Sequence, residues 1–384
     1  MLRMPTVSVV IPTYQRRILV EDAVRSVLAQ TYRDFELIVV DDGSADGTGE
    51  ALAALGSDLR YHWQPNRGVA AARNAGVGLA RGSIVAFLDS DDRWFPDHLA
   101  VLTKTFARRP RAGLVSTSPR HRAEGSASPH HAVLLDPLPA CLYGNPVGWP
   151  SSIAVRSADF MAVGGFDEEL TVGEGSELWA RLAFRAPFAL LERRTIVKRQ
   201  TAGGLVERWR DSGAFIDAFE ITARRGAERL ETLTGTAAER LRICAAGAVK
   251  FVTALRALVD KDQRTLVAAL GEACRLLPQL SRDVESLNHR LRLLPFAGDR
   301  DVRCYRMETL ASVWPDPGSQ AAASLRGQRV SRPGLMAYAR ELVAAPPANI
   351  ARNGAFDAVS ESSSPTGNDH EEVVGAQVNL NTAP

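Results

Sequence analysis

The sequence predicts an α/β protein in which a mostly parallel sheet carries helices on both faces, followed by a C-terminal helical appendage. Short apolar runs alternate with helical patterns over the first hundred residues, and helical periodicity dominates from about 207 to 293. The apolar runs are continuous and do not alternate with polar residues. Continuous apolar strands separated by helices are typical of parallel sheets that are covered on both faces.

The individual elements follow from local patterns in chain order. Strands are predicted at 7–11, 35–40, 60–63 and 83–88, with a helix at 68–80 before the fourth strand. Pro96 marks the start of another helix, because proline is favoured in the first helical turn. Less regular patterns predict strands at 112–118 and 151–157, a loop at 120–136, and helices at 176–186, 237–259 and 263–278.

The chain is long enough for more than one domain. We predict an α/β domain over 1–205, a helical domain over 206–295, a mixed extension over 296–350 and a disordered tail over 351–384. The tail is rich in Ser, Asn, Thr and Pro, which cannot bury enough apolar surface to fold.

Composition excludes several classes of protein. A net charge of +2 over 384 residues gives no general affinity for nucleic acid. The four cysteines lie far apart without a CxxC pair, so no structural zinc site is expected and a reducing compartment is favoured. No apolar run approaches the roughly 20 residues of a membrane span. We therefore expect a cytoplasmic protein that has at most peripheral membrane contact, at the inner face.

Polar residues follow the predicted strands where ligands bind to α/β sheets, at the carboxyl ends. They form three groups, namely Pro12, Thr13 and Tyr14 after the first strand, Asp41 and Asp42 after the second, and Asp89, Asp91 and Asp92 after the fourth. Each group alone is compatible with ordinary turn and capping chemistry. Their common placement favours a binding site at one edge of the sheet.

The Asp89–Asp92 segment has the chemistry of a site for a hard divalent cation. Mg²⁺ and Mn²⁺ prefer carboxylate oxygens and usually share their coordination between protein, water and substrate phosphates. Arg73 lies in the helix after the third strand, where its guanidinium could reach a phosphate or a base, or could simply be solvated. A nucleotide diphosphate with Mg²⁺ or Mn²⁺ fits these residues.

Several motifs resemble those of glycosyltransferase family 2. They are VSVVIPTYQRR, AVRSVLAQTYRDFELIVVDDGSADGT, NRGVAAARNAGVGLARGSIVAFLDSDDRWFPDHL and GGFDEEL, and the resemblance covers roughly residues 5–200. It implies a GT-A type, Rossmann-like fold and inverting transfer of a sugar from a nucleotide-diphosphate sugar, with UDP-sugars favoured. The acceptor would be a sugar or a lipid-linked saccharide, in cell-surface polysaccharide or glycoconjugate synthesis.

The resemblance also implies roles for individual residues. Those expected to bind the nucleotide sugar are Pro12, Thr13, Tyr14, Asp41, Asp42, Arg73, Asp89 and Asp91. Asp91 and Asp92 are the expected metal ligands, and Asp41 is expected to contact the base. On the acceptor side, where residues 119–150 are expected to contribute, the candidates are Asn145 and Trp149, although an aromatic residue in a loop more often serves packing.

The sequence departs from the family pattern in its catalytic half. The family usually has a Glu-Asp pair before an LWxR helix, and this chain reads VGEGSELWARLA, with Glu174 matching the Glu and Gly175 replacing the Asp. A histidine that often follows is replaced by Gln200 and Thr201. The general base is therefore Glu174 or Glu177, or the chain is a degenerate nucleotide-sugar-binding or scaffold protein.

Two other enzyme classes are disfavoured. A dinucleotide-dependent oxidoreductase would need GxGxxG after the first strand, where this chain reads PTYQR. A phosphatase with an aspartate nucleophile would carry its acidic motif at the first strand, with a following threonine, and neither feature is present.

Overall fold

The structure is a computed structural model that describes most of the first 281 residues and parts of the remainder. The described ranges are 4–56, 58–117, 132–135, 138–143, 145, 147–191, 193, 195–199, 213–231, 236–281, 307, 309–316, 318–326 and 373–374.

The described strands are β1 Val7–Thr13, β2 Phe35–Asp41, β3 Arg60–Trp63, β4 Ile84–Phe87, β5 Arg93–Trp94, β6 Leu114–Ser116, β7 Ala132–Leu135, β8 Ile153–Arg156, β9 Phe188–Leu191, β10 Ile196–Val197 and β11 Val373–Val374. Nine of them form one sheet, in the order β11-β7-β9-β6-β8-β4-β1-β2-β3. Parallel pairs predominate, and antiparallel pairing is confined to β8 with its neighbours β4 and β6 and to β7 with β9. The remaining two strands, β5 and β10, form a separate antiparallel ribbon.

Helices connect most of these strands, and three long helices follow β10. The described α-helices are α1 Arg17–Leu28, α2 Thr48–Ala53, α3 Val69–Leu79, α4 His98–Arg108, α5 Leu138–Tyr143, α6 Ser157–Ala162, α7 Glu174–Ala183, α8 Ala214–Glu231, α9 Thr236–Asp260, α10 Gln263–Leu276 and α11 Gln320–Leu325. None of the helices in the described part of the chain has the length and apolarity needed to cross a membrane.

The central strands of the sheet, such as β1 and β4, are buried on both faces because they are mostly apolar, whereas the edge strand β3 is largely exposed. Val7, Val9 and Ile11 of β1 pack on one face with α1, α2 and α4. Val10, between them in sequence, packs on the other face with α3, α5 and α7. The two-residue period of a strand sends successive side chains to opposite faces. The predicted α/β fold, with a mostly parallel sheet between helices, is therefore confirmed.

The helical region towards the C-terminus packs on the α/β domain. Helices α8, α9 and α10 share one apolar core with α5, α7 and the sheet. Gly226 of α8 approaches α5 so closely that a Cβ atom there would lie 2.3 Å from Leu142 Cδ2. The predicted helical appendage is present, whereas the domain boundaries at 205 and 295 remain predictions.

Part of one predicted loop is a strand. Residues 132–135, inside the loop predicted over 120–136, form β7 and pair with β9, so that prediction was wrong at these positions. The apolar run AVLL there is long enough for a short sheet strand. In the predicted tail, Val373–Val374 form a strand beside β7. Most of 296–350 and the rest of 351–384 lie outside the described residues.

Candidate active site

The carboxyl ends of β1, β2 and β4 meet at one edge of the sheet. Thr13, the last residue of β1, is in register with Asp41, the last residue of β2. The N–H of Leu88, just after β4, donates to the carbonyl of Val10 in β1 at 3.0 Å, and Asp89 follows directly. The structure therefore brings the three predicted polar loops together.

The three residues Pro12, Thr13 and Tyr14 at the end of β1 differ in burial and in hydrogen bonding. Pro12 is buried within the sheet, opposite Val40, and Tyr14 is 42% exposed. Between them, the Oγ1 atom of Thr13 is buried and has no hydrogen-bond partner among the described residues. Buried hydroxyl groups almost always have a partner, so an unpaired one at a sheet edge is a candidate contact for a ligand.

Asp41 is held in place by two donors. Its Oδ1 accepts from the Ser44 backbone N–H at 2.8 Å, and its Oδ2 accepts from the Tyr61 hydroxyl at 2.7 Å. Burial, together with the hydrogen bond to Asp41, raises the pKa of Tyr61 above its ordinary value. The Tyr61 hydroxyl therefore keeps its proton and donates a hydrogen bond that fixes the orientation of Asp41.

Asp42 organises the loop that leads into α3. Its Oδ1 accepts from Gln64 Nε2 at 2.8 Å and from the Arg67 N–H at 2.9 Å, and its Oδ2 accepts from the Gly68 N–H at 2.8 Å. Both oxygens of this buried carboxylate are thus used by the loop. Asp42 thus holds the loop before α3, the helix that carries Arg73, and its contact with a nucleotide sugar remains a prediction.

The three aspartates after β4 lie close together. Asp89, Asp91 and Asp92 each offer a carboxylate oxygen, and these atoms lie within 4.8 Å of one another. Asp92 is fully buried, and its Oδ2 accepts a hydrogen bond of 2.5 Å from Ser151 Oγ. Ser151 Oγ also accepts from the Asp89 N–H at 3.1 Å, so a residue just before β8 fixes the acidic loop.

Cationic side chains from three other segments neutralise this acidic loop. Arg16 contacts Asp91 Oδ2 at 2.7 Å, and Arg73 contacts Asp89 Oδ1 at 2.8 Å. Lys198 Nζ lies 2.9 Å from Asp92 Oδ2 and 3.3 Å from Asp89 Oδ2.

Burial acts against ionisation of Asp89, but Lys198 and Arg73 outweigh it and hold the pKa of Asp89 well below its usual range. Burial and the charge of Asp89 raise the pKa of Asp92 to about 6.

Arg73 links the acidic loop to the start of α7. Its side chain is only 4% exposed, and its second terminal nitrogen donates to Glu174 Oε1 at 2.6 Å. Its guanidinium also stands 5.2 Å from the centroid of the Phe166 ring. The Nε–H of Arg73 is buried without a partner among the described residues. Arg73 therefore brings the predicted nucleotide site and the predicted catalytic helix together.

The two candidate bases have different surroundings. Among the described residues, Glu174 is paired through Oε1 only. Glu177 accepts from Arg181 with both oxygens, at 2.8 Å and 2.5 Å, and its Oε1 lies 3.5 Å from Arg225. Arg181 also donates to the Val163 carbonyl at 2.5 Å. Glu177 is thus part of a buried structural network, while Glu174 retains a second oxygen.

Next to Gly175, the indole nitrogen of Trp179 on α7 lacks a hydrogen-bond partner among the described residues. A Cβ atom at Gly175 would lie 3.4 Å from Nε1 of Trp179, one helical turn further on. This indole nitrogen is buried and has no acceptor among the described residues. The backbone of Gly175 is helical and its surroundings leave room for a Cβ atom, so a side chain here is sterically acceptable.

The two predicted acceptor residues lie in the loop before β8. Asn145 closes that loop, because its side chain exchanges two hydrogen bonds of 3.0 Å with the backbone of Gly148. Trp149 is half-buried and packs against the core on one face of the sheet. Their acceptor roles remain predictions. Gln200 and Thr201, where the family histidine is missing, lie outside the described residues.

Four site residues were not identified by the sequence reading: Arg16, Tyr61, Ser151 and Lys198. Arg16 follows the PTYQ motif directly, so its position was a usable signal. Tyr61 lies at the edge strand beside Asp41, a contact that the β2–β3 pairing determines. Ser151 and Lys198 reach the acidic loop from distant segments, and nothing in the local sequence indicates their contacts.

The acidic loop fits a divalent cation by the type of its ligand atoms. Within the described residues, Asp89, Asp91 and Asp92 form the group of carboxylates close enough to share an ion. Mg²⁺ and Mn²⁺ prefer such oxygens. Each of these carboxylates also contacts a cationic side chain, so an ion would have to displace some of these contacts.

Comparisons with solved structures agree with this fold. The crystal structure of S. aureus TarS 1-349 in complex with UDP-GlcNAc is similar, with a TM-score of 0.53 and 18% sequence identity. The match covers 84% of this chain and 92% of that chain. The sheet and its surrounding helices are thus of the GT-A type.

Sequence comparisons converge on one family. An uncharacterised glycosyltransferase of Rickettsia conorii is 42% identical over 100 residues, which is 26% of this chain and 17% of that protein. The putative teichuronic acid biosynthesis glycosyltransferase TuaG of Bacillus subtilis is 46% identical over 99 residues, or 25% of this chain and 39% of TuaG. The chain thus spans well under half the length of these relatives. Residues 8–151 match the family model described as glycosyl transferase family 2.

Proposed function

We propose that this chain transfers a sugar from a nucleotide-diphosphate sugar to an acceptor hydroxyl, with inversion at the anomeric carbon. The observation that carries the proposal is the meeting of Thr13, Asp41 and Asp89 at one sheet edge, with buried Arg73 beside them. The unpaired Thr13 Oγ1 and Arg73 Nε–H support a ligand at this edge. The name of the relative TuaG supports a role in cell-surface polysaccharide or glycoconjugate synthesis.

The proposed donor is a UDP-sugar. Asp41 can accept a hydrogen bond from the ring N–H of uracil, and the Tyr61 hydroxyl holds it in one orientation. Thr13 and Tyr14 would line the nucleotide, with the exposed ring of Tyr14 available for stacking. TarS, whose solved complex contains UDP-GlcNAc, has a similar fold and is consistent with this choice.

The diphosphate leaves with negative charge, which fixed cationic groups stabilise. A Mg²⁺ or Mn²⁺ ion bound by Asp91 and Asp92 would supply further positive charge. Arg73 is buried beside Asp89, so it contributes its charge without reorganisation. Its contacts with both Asp89 and Glu174 also fix the distance between the donor site and the start of α7.

Glu174 is the proposed general base. The acceptor oxygen forms a bond to the anomeric carbon while the bond from that carbon to the diphosphate oxygen breaks. The acceptor proton passes to Glu174 Oε2, because Arg73 occupies Oε1. No covalent enzyme intermediate forms, since the direct displacement inverts the carbon. Glu177 is assigned a structural role, because Arg181 engages both of its oxygens.

A second candidate function is nucleotide-sugar binding without transfer. Gly175 favours it, because this residue stands where the family pattern has an aspartate and cannot take a proton. Binding and turnover distinguish the two candidates. Tight binding of a donor without release of nucleoside diphosphate, with any acceptor offered, would favour the binding protein.

The proposal is tested with a panel of nucleotide sugars, first for binding by calorimetry and then for release of nucleoside diphosphate. We expect UDP to bind more tightly than GDP or ADP, and the variant Asp41→Asn to lose part of this preference. Asp34→Asn is a matched control, since Asp34 lies before β2, at the opposite end from Asp41. Failure of every nucleoside diphosphate to bind would overturn the proposal.

A further inference from the structure

Lys198 lies where a divalent cation would have to bind. Its Nζ is 2.9 Å from Asp92 Oδ2 and 3.3 Å from Asp89 Oδ2, so one ammonium group bridges two carboxylates of the acidic loop. Asp92 Oδ2 also accepts from Ser151, and its Oδ1 accepts from the Arg199 N–H at 3.1 Å. The buried Asp92 thus has both oxygens engaged before any ion arrives.

The fold itself holds Lys198 in this position. Ribbon strands β5 and β10 pair with Ile196 opposite Trp94 and Val197 opposite Arg93. Continuing the antiparallel register by one residue places Lys198 opposite Asp92. The pairing of the two strands therefore sets the position of Lys198 beside Asp92. The contact does not depend on a freely rotating surface side chain.

The charges at the site are nearly balanced without an ion. Four carboxylates face three cationic side chains, and the contacts among them are Arg16 with Asp91, Arg73 with Asp89 and Glu174, and Lys198 with Asp89 and Asp92. A free divalent ion would therefore meet little net negative charge. An ammonium group is a compact point charge, as a metal ion is, so the two can exchange at the same oxygens.

We infer that Lys198 is a built-in competitor of the divalent cation in the acidic loop, because it occupies Asp92, one of the two proposed metal ligands, together with the neighbouring Asp89. The free ion binds weakly to this protein, and it binds better together with a diphosphate, whose negative charge can pair with the released ammonium group. Lys198 thereby sets how strongly donor binding depends on the metal. The inference rests on the proposed function only in taking the acidic loop as the place where the cation of the donor binds.

The test uses Mn²⁺ alone with the full chain, without nucleotide. Free Mn²⁺ is followed by its electron paramagnetic resonance signal during titration of the wild type and of the variant Lys198→Gln, which retains a hydrogen-bond donor but no charge. We expect the variant to bind Mn²⁺ at least about tenfold more tightly, because a unit positive charge a few ångströms away no longer repels the ion. Lys104→Gln, which removes an exposed charge on α4, should bind like the wild type.

Equal or weaker Mn²⁺ binding by Lys198→Gln would overturn the inference, as would tight binding of Mn²⁺ alone by the wild type. If Lys198→Gln is unstable without an ion, Mn²⁺ should raise its Tm more than that of the wild type, and a smaller rise contradicts the inference. A parallel titration with UDP separates the two proposals. If UDP does not bind to any variant, the proposed function fails, while the Mn²⁺ comparison still decides the role of Lys198.

Discussion

The guanidinium of Arg73 donates a hydrogen bond of 2.6 Å to Oε1 of Glu174, although 101 residues separate them in the chain. This bond joins α3, which follows the nucleotide loops, to α7, which carries the candidate base. The other terminal nitrogen of Arg73 holds Asp89. One planar group therefore contacts both the acidic loop and Glu174.

Replacing Arg73 with lysine should weaken both the fold and the site. A lysine keeps the charge, but its single ammonium cannot reproduce the planar fork that spans two carboxylates. We expect Arg73→Lys to lose about 1–3 kcal/mol of stability in urea unfolding, the cost of an unsatisfied buried polar group. Arg73→Met should lose about 3–5 kcal/mol, since it removes the partner of the buried Glu174 and leaves Lys198 as the cation beside Asp89.

Arg67→Lys is the matched control for this prediction. The Arg67 side chain is 64% exposed and pairs with Glu168, so this change should cost less than about 1 kcal/mol. If Arg73→Lys costs no more than Arg67→Lys, the bridge between the acidic loop and α7 does not contribute to stability.

The strand ends of the site could be predicted from the sequence, and its cation contacts could not. Thr13, Asp41 and Asp89 directly follow continuous apolar runs, and the carboxyl ends of neighbouring parallel strands must share one edge. Lys198 reaches Asp92 through the pairing of two strands of two residues each, far apart in the chain. Strands this short have no periodicity that a sequence pattern could reveal.

A buried histidine makes stability depend on pH. His98 is fully buried and stacks on Trp94, and burial lowers its pKa to about 3. His98 Nδ1 lies 2.7 Å from Thr195 Oγ1, which in turn lies 2.7 Å from Thr117 Oγ1. The folded protein therefore keeps His98 neutral at neutral pH.

The contribution of His98 to stability should fall as the pH falls below about 6.5, because the unfolded chain then binds a proton at His98 that the folded protein does not bind. The expected contribution is up to about 1.4 kcal/mol per pH unit until the pH nears 3, measured by urea unfolding between pH 7 and 5. His98→Gln should reduce this slope, whereas His62→Gln, at an exposed position, should not. An unchanged slope in His98→Gln would show that other groups cause the pH dependence.

Glu174→Gln should separate binding from turnover. Glutamine can still accept a hydrogen bond from Arg73, so UDP binding should stay nearly unchanged, but it cannot take a proton from the acceptor. Loss of a general base typically lowers the rate about 10²–10⁴-fold, so kcat should fall by that order. The measurement is release of nucleoside diphosphate under saturating donor.

Glu177→Gln is the matched change on the same helix turn. It breaks the bidentate pair with Arg181 and should lower the unfolding free energy, while the folded fraction keeps most of its kcat. If Glu177→Gln loses turnover and Glu174→Gln does not, the assignment of the base is reversed.

Gly175→Asp tests whether turnover is limited by the absence of the carboxylate that the family pattern places here. The helical backbone accepts a side chain, and a Cβ atom would stand 3.4 Å from Trp179 Nε1, at the limit of ordinary contact. The new carboxylate can accept from this unpaired indole N–H, which offsets part of the cost of its own burial. We expect a folded protein whose Tm is equal to or higher than that of Gly175→Ala, which fills the same space without an acceptor.

The effect of Gly175→Asp on turnover then distinguishes the two candidate functions. If Glu174 is a sufficient base, the added carboxylate should change kcat by less than about tenfold. If the wild type binds donor without transferring sugar, Gly175→Asp should create measurable release of nucleoside diphosphate that Gly175→Ala does not. The double variant Glu174→Gln with Gly175→Asp locates the base, because turnover that survives the loss of Glu174 must use the new aspartate. Absence of turnover in every variant, despite tight UDP binding, would leave nucleotide-sugar binding as the function that the site supports.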